Sequence, residues 1–237
     1  MRSPQALSWP PRPTQPIDRM SILQSTESHL AIERCVLDFA HRDASRWDDL
    51  SRTFVQDAHI QNSWYSGPIE GFVHASIAMA ASGRPNPKHL IGPPRIDIAG
   101  DRATAESNVT IMVRMNVPEG ELDVTSWSRF YDLFRRVDGN WRINRRTVVY
   151  ERDRIDPVAL RPGYQMPAPS PDLPAECKHM AMLLRSVGKD LGDGTVVSSS
   201  GKEAEMYEQG RRWLEGDRQG ATAKGTSTAA KAVQQAI

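Results

Sequence analysis

The spacing of apolar residues changes once along the chain. Ile32, Val36, Phe39 and Ala40 recur at i, i+4, i+7 and i+8, which predicts one apolar face of a helix over 25–43. Ser25 or Thr26 stands where an N-cap is wanted, and Glu27 suits the positive helix end. Asp43 follows Phe39 by four residues and Ala40 by three, so it continues the apolar stripe rather than the solvent face. Ser45-Arg-Trp-Asp48 has the form of a capping box for a short second helix whose inward residues are Trp47, Leu50 and Phe54. A short strand is predicted over 58–65. Gly67-Pro68 then introduces a third helix over 69–82, ending near Gly83.

From Lys88 the period becomes two. Strands are predicted over 88–99, 102–117, 122–137 and 140–152, with turns at Gly100-Asp101, Pro118-Glu119-Gly120 and Asp138-Gly139. In the third strand Leu122, Val124, Ser126, Ser128 and Phe130 face one way, and Thr125, Trp127, Arg129, Tyr131 and Leu133 the other. Bulk on both faces implies cover on both. Helices followed by an antiparallel meander define an α+β domain, and a curved sheet wrapped on a helix encloses a cavity where function should lie. Two further helices are predicted near 175–187 and 201–215; Met180, Leu183, Leu184 and Val187 make the first a packing element against the body or a neighbouring subunit.

Proline placement adds the domain plan. Of 17 prolines, five lie between Pro4 and Pro16 and six between Pro157 and Pro174. Proline ends helices and sheet pairing, so these clusters mark off a Pro-rich leader (1–20), a body (21–156), a Pro-rich linker with a helical extension (157–216) and a flexible tail (217–237). The net charge of +1 argues against nucleic-acid or anionic-membrane partners, and no apolar run suits a membrane span. Two cysteines, Cys35 and Cys177, are too few for a disulfide framework. Prolines interrupt the N-terminus before an apolar signal region forms, so the expected location is cytoplasmic and reducing.

The chemistry is narrowed by what is missing. There is no dinucleotide fingerprint, phosphate loop, nucleophile elbow or zinc-spaced His or Cys pair, so neither cofactor nor metal is expected. Acid–base chemistry by side chains remains. His89 opens a strand beside Leu90 and Ile91; such an imidazole is either a satisfied core residue or a buried base. Asp43 either reaches solvent or points into a cavity, where an imidazole can pair with it. Arg145 and Arg146 lie on opposite faces of the last strand. Arg146 shares its face with Val148 and Tyr150, as a surface cation or an anion-stabilising group.

Several segments, each weak alone, together carry a resemblance in their order and spacing. They are His41-Arg-Asp43-Ala-Ser-Arg-Trp-Asp48-Asp49-Leu50, Phe54-Val-Gln-Asp57-Ala58, Gly67-Pro-Ile-Glu-Gly71, Lys88-His89-Leu90, Gly100-Asp-Arg-Ala103-Thr-Ala105 and Asp138-Gly-Asn-Trp141-Arg-Ile143. Residues 25–155 thereby resemble the SnoaL-like branch of the nuclear transport factor 2-like superfamily; the chain beyond about 160 lies outside the resemblance. That resemblance implies a conical α+β barrel, a curved antiparallel sheet and three helices around a deep pocket. The dehydrochlorinase and scytalone dehydratase pattern fits best, pairing an aspartate at the end of the first helix with a histidine after the third. Asp43 and His89 stand at those positions, and Arg146 matches a last-strand arginine.

The implied activity is that of a cofactor-free lyase: dehydration, dehydrohalogenation or retro-aldol cleavage of a small aromatic or cyclic compound, in the manner of catabolic enzymes for aromatics. His89 would be the base, Asp43 its orienting partner and Arg146 the stabiliser of a developing anion. Asn62, Trp64, Tyr65, Trp127, Tyr131 and Tyr150 are candidates for the pocket lining, with ordinary core packing as the competing reading for each. An isomerase or cyclase, or a non-catalytic binding module, are the alternatives. The resemblance also implies a homo-oligomer, with a trimer favoured.

Overall fold

A computed structural model describes residues 19–83, 87–118, 120–166 and 168–216; the expected leader, apart from its last two residues, and the expected tail lie outside these. The N-terminal half supplies helices α1 (Arg19–Leu37), α2 (Trp47–Arg52) and α3 (Ile69–Ala81). Helix α1 begins at Arg19, upstream of Ser25, because Arg-Met-Ser-Ile-Leu-Gln contains nothing that stops a helix. After Leu37 it tightens into a 3-10 turn over Asp38–Arg42, with Asp43 at its C-cap. The N-cap of α2 is Arg46 rather than the expected Ser45; Arg46 makes no side-chain cap hydrogen bond, and Ser45 has a φ of 57°.

Eight strands form one sheet: β1 (Phe54–Gln61), β2 (Ser66–Pro68), β3 (Lys88–Ile91), β4 (Arg95–Ala99), β5 (Arg102–Val117), β6 (Gly120–Val137), β7 (Asn140–Leu160) and β8 (Val196–Val197). The backbone order is β2-β1-β7-β6-β5-β3, with β4 also on β5 and β8 also on β7. The single strand expected over 88–99 is two, because Pro93 and Pro94 cannot donate to the ladder on β5. Strand β7 runs past 152 and past the expected boundary at 156 to Leu160. It accommodates Pro157 opposite Leu122, beside a break in register. Further register shifts at Trp127/Ser128 and Leu133/Phe134 bend the β6–β7 ribbon.

The concave face of this bent sheet receives the helices. Ile32 and Val36 of α1, Phe39, Phe72 of α3 and Phe130 of β6 are buried together there. The C-terminal extension covers both sides of β6 and β7. Helix α4 (Lys178–Ser186) packs its Met180 and Leu183 into the main core. Residues 201–216 form helix α5, whose Met206 and Trp213 pack on Tyr131, Leu133 and Val149 of the opposite face. That double cover accounts for bulk on both faces of β6. No helix among the described residues is long and apolar enough to cross a membrane.

Candidate active site

The end of the first helix and the start of β3 meet at one carboxylate. The His89 backbone N–H donates to Asp43 Oδ2 at 2.7 Å, and His89 Nδ1 lies 2.7 Å from Asp43 Oδ1. A carboxylate only accepts, so Nδ1 carries the ring proton and Nε2 keeps its lone pair. Both side chains are 7% exposed. The Phe39 ring meets the imidazole edge-on, with centroids 5.4 Å apart. Burial pulls the His89 pKa below its ordinary value of 6.5. Asp43 pulls the other way, and Arg42 and Arg146 add to the fall. The ring is therefore neutral near pH 7, with its tautomer set by Asp43.

His89 lies on the wall of a cavity of about 320 Å³. The 3-10 turn contributes Phe39 and Arg42, α3 contributes Phe72 and Met79, and the sheet contributes Ile111, Phe130 and Val148. The wall is mostly apolar, and among the described residues no aspartate or glutamate lines it. No cluster of metal-binding side chains occurs among the described residues.

A profile of the SnoaL-like domain matches residues 24–147, more than half of the chain. The chain belongs to the SnoaL-like domain family. It is 28% identical over 195 residues to pea pathogenicity protein 2 of Fusarium vanettenii, spanning 75% of this chain and 81% of that one. A scytalone dehydratase-like crystal structure from Novosphingobium aromaticivorans superposes with a TM-score of 0.50 at 19% identity. The match covers 61% of this chain and 99% of that one. A hexachlorocyclohexane dehydrochlorinase of LinA type 3 from Novosphingobium barchaimii gives 0.47 at 18% identity, over 62% and 99% of the two chains. The fold is thus the curved-sheet α+β barrel expected from the sequence, extended by α4 and α5.

Within this SnoaL-like domain the expected site residues separate. Asn62, Trp64 and Tyr150 line the cavity together with His89. Asn62 Oδ1 accepts from the N–H groups of Trp64 at 2.9 Å and Tyr65 at 2.8 Å, so it builds the turn that aims Trp64 inward. Tyr150 donates to Ser63 Oγ at 2.9 Å and accepts from Ser63 N–H at 3.0 Å; burial pushes its hydroxyl pKa up to about 12.

Four expected residues stand elsewhere. Tyr65 donates to the Pro68 carbonyl at 2.7 Å and occupies the space above Gly71, where any Cβ would collide with its hydroxyl. Trp127 and Tyr131 occupy the opposite face of β6, because alternation along the strand places only its even-numbered residues inward here. Trp127 lies under the guanidinium groups of Arg152 and Arg154, and Tyr131 packs edge-on against Tyr207 of α5. Arg146 does point inward but is fully buried and off the cavity wall. Asp132, its neighbour across the β6–β7 ladder, accepts from Nε at 2.7 Å and Nη2 at 2.6 Å. The rings of Phe130 and Phe39 enclose the guanidinium, with centroids 4.2 and 4.6 Å away.

Two contributors were not read from the sequence. Arg42 lines the cavity; its neighbourhood to Asp43 was the only available signal. Helix α4 closes one side with Met180, Leu183 and Leu184, whose stripe was legible while its target was not. The helix is clamped at its start: Asp153 accepts from Met180 N–H at 2.7 Å and lies 2.8 Å from His179 Nδ1. We expect Asp153→Ala to loosen α4 and speed backbone amide exchange over 178–189 at least tenfold, read by hydrogen–deuterium exchange, with little change in α3. Unchanged exchange in 178–189 would remove the clamp's role.

Proposed function

We propose that this SnoaL-like protein is a cofactor-independent lyase that removes a proton from a small aromatic or cyclic substrate. The observation that carries the reading is the two-point contact of Asp43 with His89 at the wall of an apolar cavity. The dehydratase-like solved structure of the same fold supports it.

In the proposed reaction His89 Nε2 accepts a proton from a carbon made acidic by a neighbouring electron-withdrawing group. The electron pair left on that carbon forms the new double bond as the leaving group departs from the adjacent carbon. The imidazolium so formed is stabilised by the Asp43 carboxylate and returns its proton to a leaving hydroxyl, or to water when halide leaves. The aromatic walls exclude water, which strengthens the Asp43–imidazolium interaction in the transition state. Phe72 and Trp64, stacked with centroids 5.2 Å apart, offer flat surfaces suited to a ring.

The test is turnover on a panel of cyclic compounds bearing hydroxyl, halide or β-hydroxycarbonyl leaving groups, with His89→Ala alongside the wild type. Turnover that depends on His89 supports the reading; turnover independent of it removes it.

The pH profile has a determined sign. His89 titrates below its ordinary value of 6.5, so the base stays unprotonated through neutral pH. We expect kcat/KM to be level near pH 7 and to fall along an acid limb centred below 6.5. An acid limb centred above 6.5 would contradict the assignment. In the unfolded chain His89 binds its proton at higher pH than in the fold. Its contribution to stability is therefore complete above 6.5 and shrinks as pH falls from there through the folded value.

A further inference from the structure

Arg42 is a buried cation whose neighbouring anion, Asp43, favours its charge but is bound to His89. It is 6% exposed, and its Nε is enclosed without a hydrogen-bond partner. Nη2 reaches only the Met79 sulfur at 3.9 Å, a weak acceptor. Among the described residues it makes no ion pair. Its neighbour Asp43 has one oxygen on the His89 ring and the other on the His89 N–H. Three other arginines with inward or half-buried side chains are matched: Arg146 by Asp132, Arg114 by Glu121 and Asp123, and Arg129 by Glu106, Glu151 and Glu203. A guanidinium held out of water without acceptors is costly, and a ligand in the cavity that supplies acceptors to its terminal nitrogens offsets that cost.

The surroundings say which kind. The Trp64 and Phe72 rings lie 5.8 and 5.7 Å from the Arg42 guanidinium carbon and hold it at the wall. The cavity surface it joins carries no carboxylate among the described residues. A second cation, Lys189, stands at the rim with Nζ 5.0 Å from the Trp64 ring centroid. The wall thus sets cations, without a carboxylate among its described residues, in a mostly apolar surface. The outer edge of one guanidinium, its two terminal nitrogens, matches the two oxygens of a carboxylate. A phosphate dianion would call for more N–H donors than this edge supplies.

Resting on the reading of the cavity as a substrate site, we propose that the substrate carries a carboxylate on its ring or side chain, which Arg42 binds through its terminal guanidinium nitrogens. The rest of the substrate lies along the aromatic wall toward His89, with Lys189 drawing the anion to the rim. Arg42 is then the specificity-determining residue, and it takes the place in the cavity that Arg146 cannot, bound as that residue is to Asp132.

The experiment uses a matched pair of probes, 2-naphthoate and 2-naphthamide, titrated into the full chain by calorimetry. The wild type should bind the acid at least tenfold more tightly than the amide. Arg42→Met should bring the two probes level. Arg42→Gln, which keeps an N–H donor without charge, should do the same and covers the case in which the methionine variant does not fold. His89→Ala should keep the preference, because the base is not the anion's partner. Equal affinity for acid and amide in the wild type, no binding of 2-naphthoate, or a preference that survives in both Arg42 variants would overturn the proposal. A preserved preference together with full turnover in His89→Ala would overturn the base assignment and leave the carboxylate site standing.

Discussion

His89→Ala lowers kcat by about 10²–10⁴-fold on whichever panel substrate the wild type turns over, the range associated with loss of a positioned general base. The reason is local. Nε2 is the ring nitrogen left unprotonated by the Asp43–Nδ1 contact, and His89 is the imidazole on the cavity wall. Asp43→Asn lowers kcat by a similar factor. It removes the charge that stabilises the imidazolium and offers the ring an amide that can donate, which admits the wrong tautomer. The two losses are not additive, since each variant disables the same unit, and the double variant falls about as far as either single one. Steady-state kinetics measures this, with near-UV circular dichroism to verify that each variant keeps its packing. Wild-type turnover in either single variant sinks the dyad.

Asp132→Ala destabilises the fold by about 3–5 kcal/mol, the usual consequence of removing one partner of a buried ion pair. Asp132 and Arg146 are both fully buried, and Asp132 holds two of the three guanidinium nitrogens. Nη1 is already without a hydrogen-bond partner among the described residues. With Asp132 gone the whole cation stands uncompensated between Phe39 and Phe130. Replacing both partners, as in Asp132→Leu with Arg146→Met, recovers most of the loss, because the cost lies in the unpaired charge rather than in the missing bond. Urea unfolding midpoints at neutral pH measure both. A single variant as stable as the wild type would show that water reaches the pair. Phe39 and Phe130 also flank His89, so the pair sets the floor on which the imidazole rests.

Helix and strand identity was legible wherever the hydrophobic period was long. The stripe Ile32, Val36 and Phe39 and the alternation of β5, β6 and β7 were read correctly, because 3.6-residue and two-residue periods need no tertiary knowledge. Boundaries were less legible. Gly92-Pro93-Pro94 divided one expected strand into β3 and β4, and Pro157 failed to end β7 because a register break absorbed it. Among the candidate site residues, the family resemblance singled out Asp43 and His89, while their contact, 46 residues apart, exists only in the fold.

The sequence by itself determined the α+β class, the family and which titratable groups were available, since these follow from periodicity, motif order and composition. Only the tertiary structure decided which arginines line the cavity. Strand alternation admits Arg146 to the inner face, but Asp132 lies directly across the ladder and claims it. Arg42, one residue from Asp43, makes no ion pair among the described residues and lines the open space. Likewise Trp127 and Tyr131 carry the same aromatic surface as Trp64, yet their strand face belongs to the outer cover. A side chain's chemistry is local, whereas its partner and its exposure are set by whatever the folded chain brings beside it.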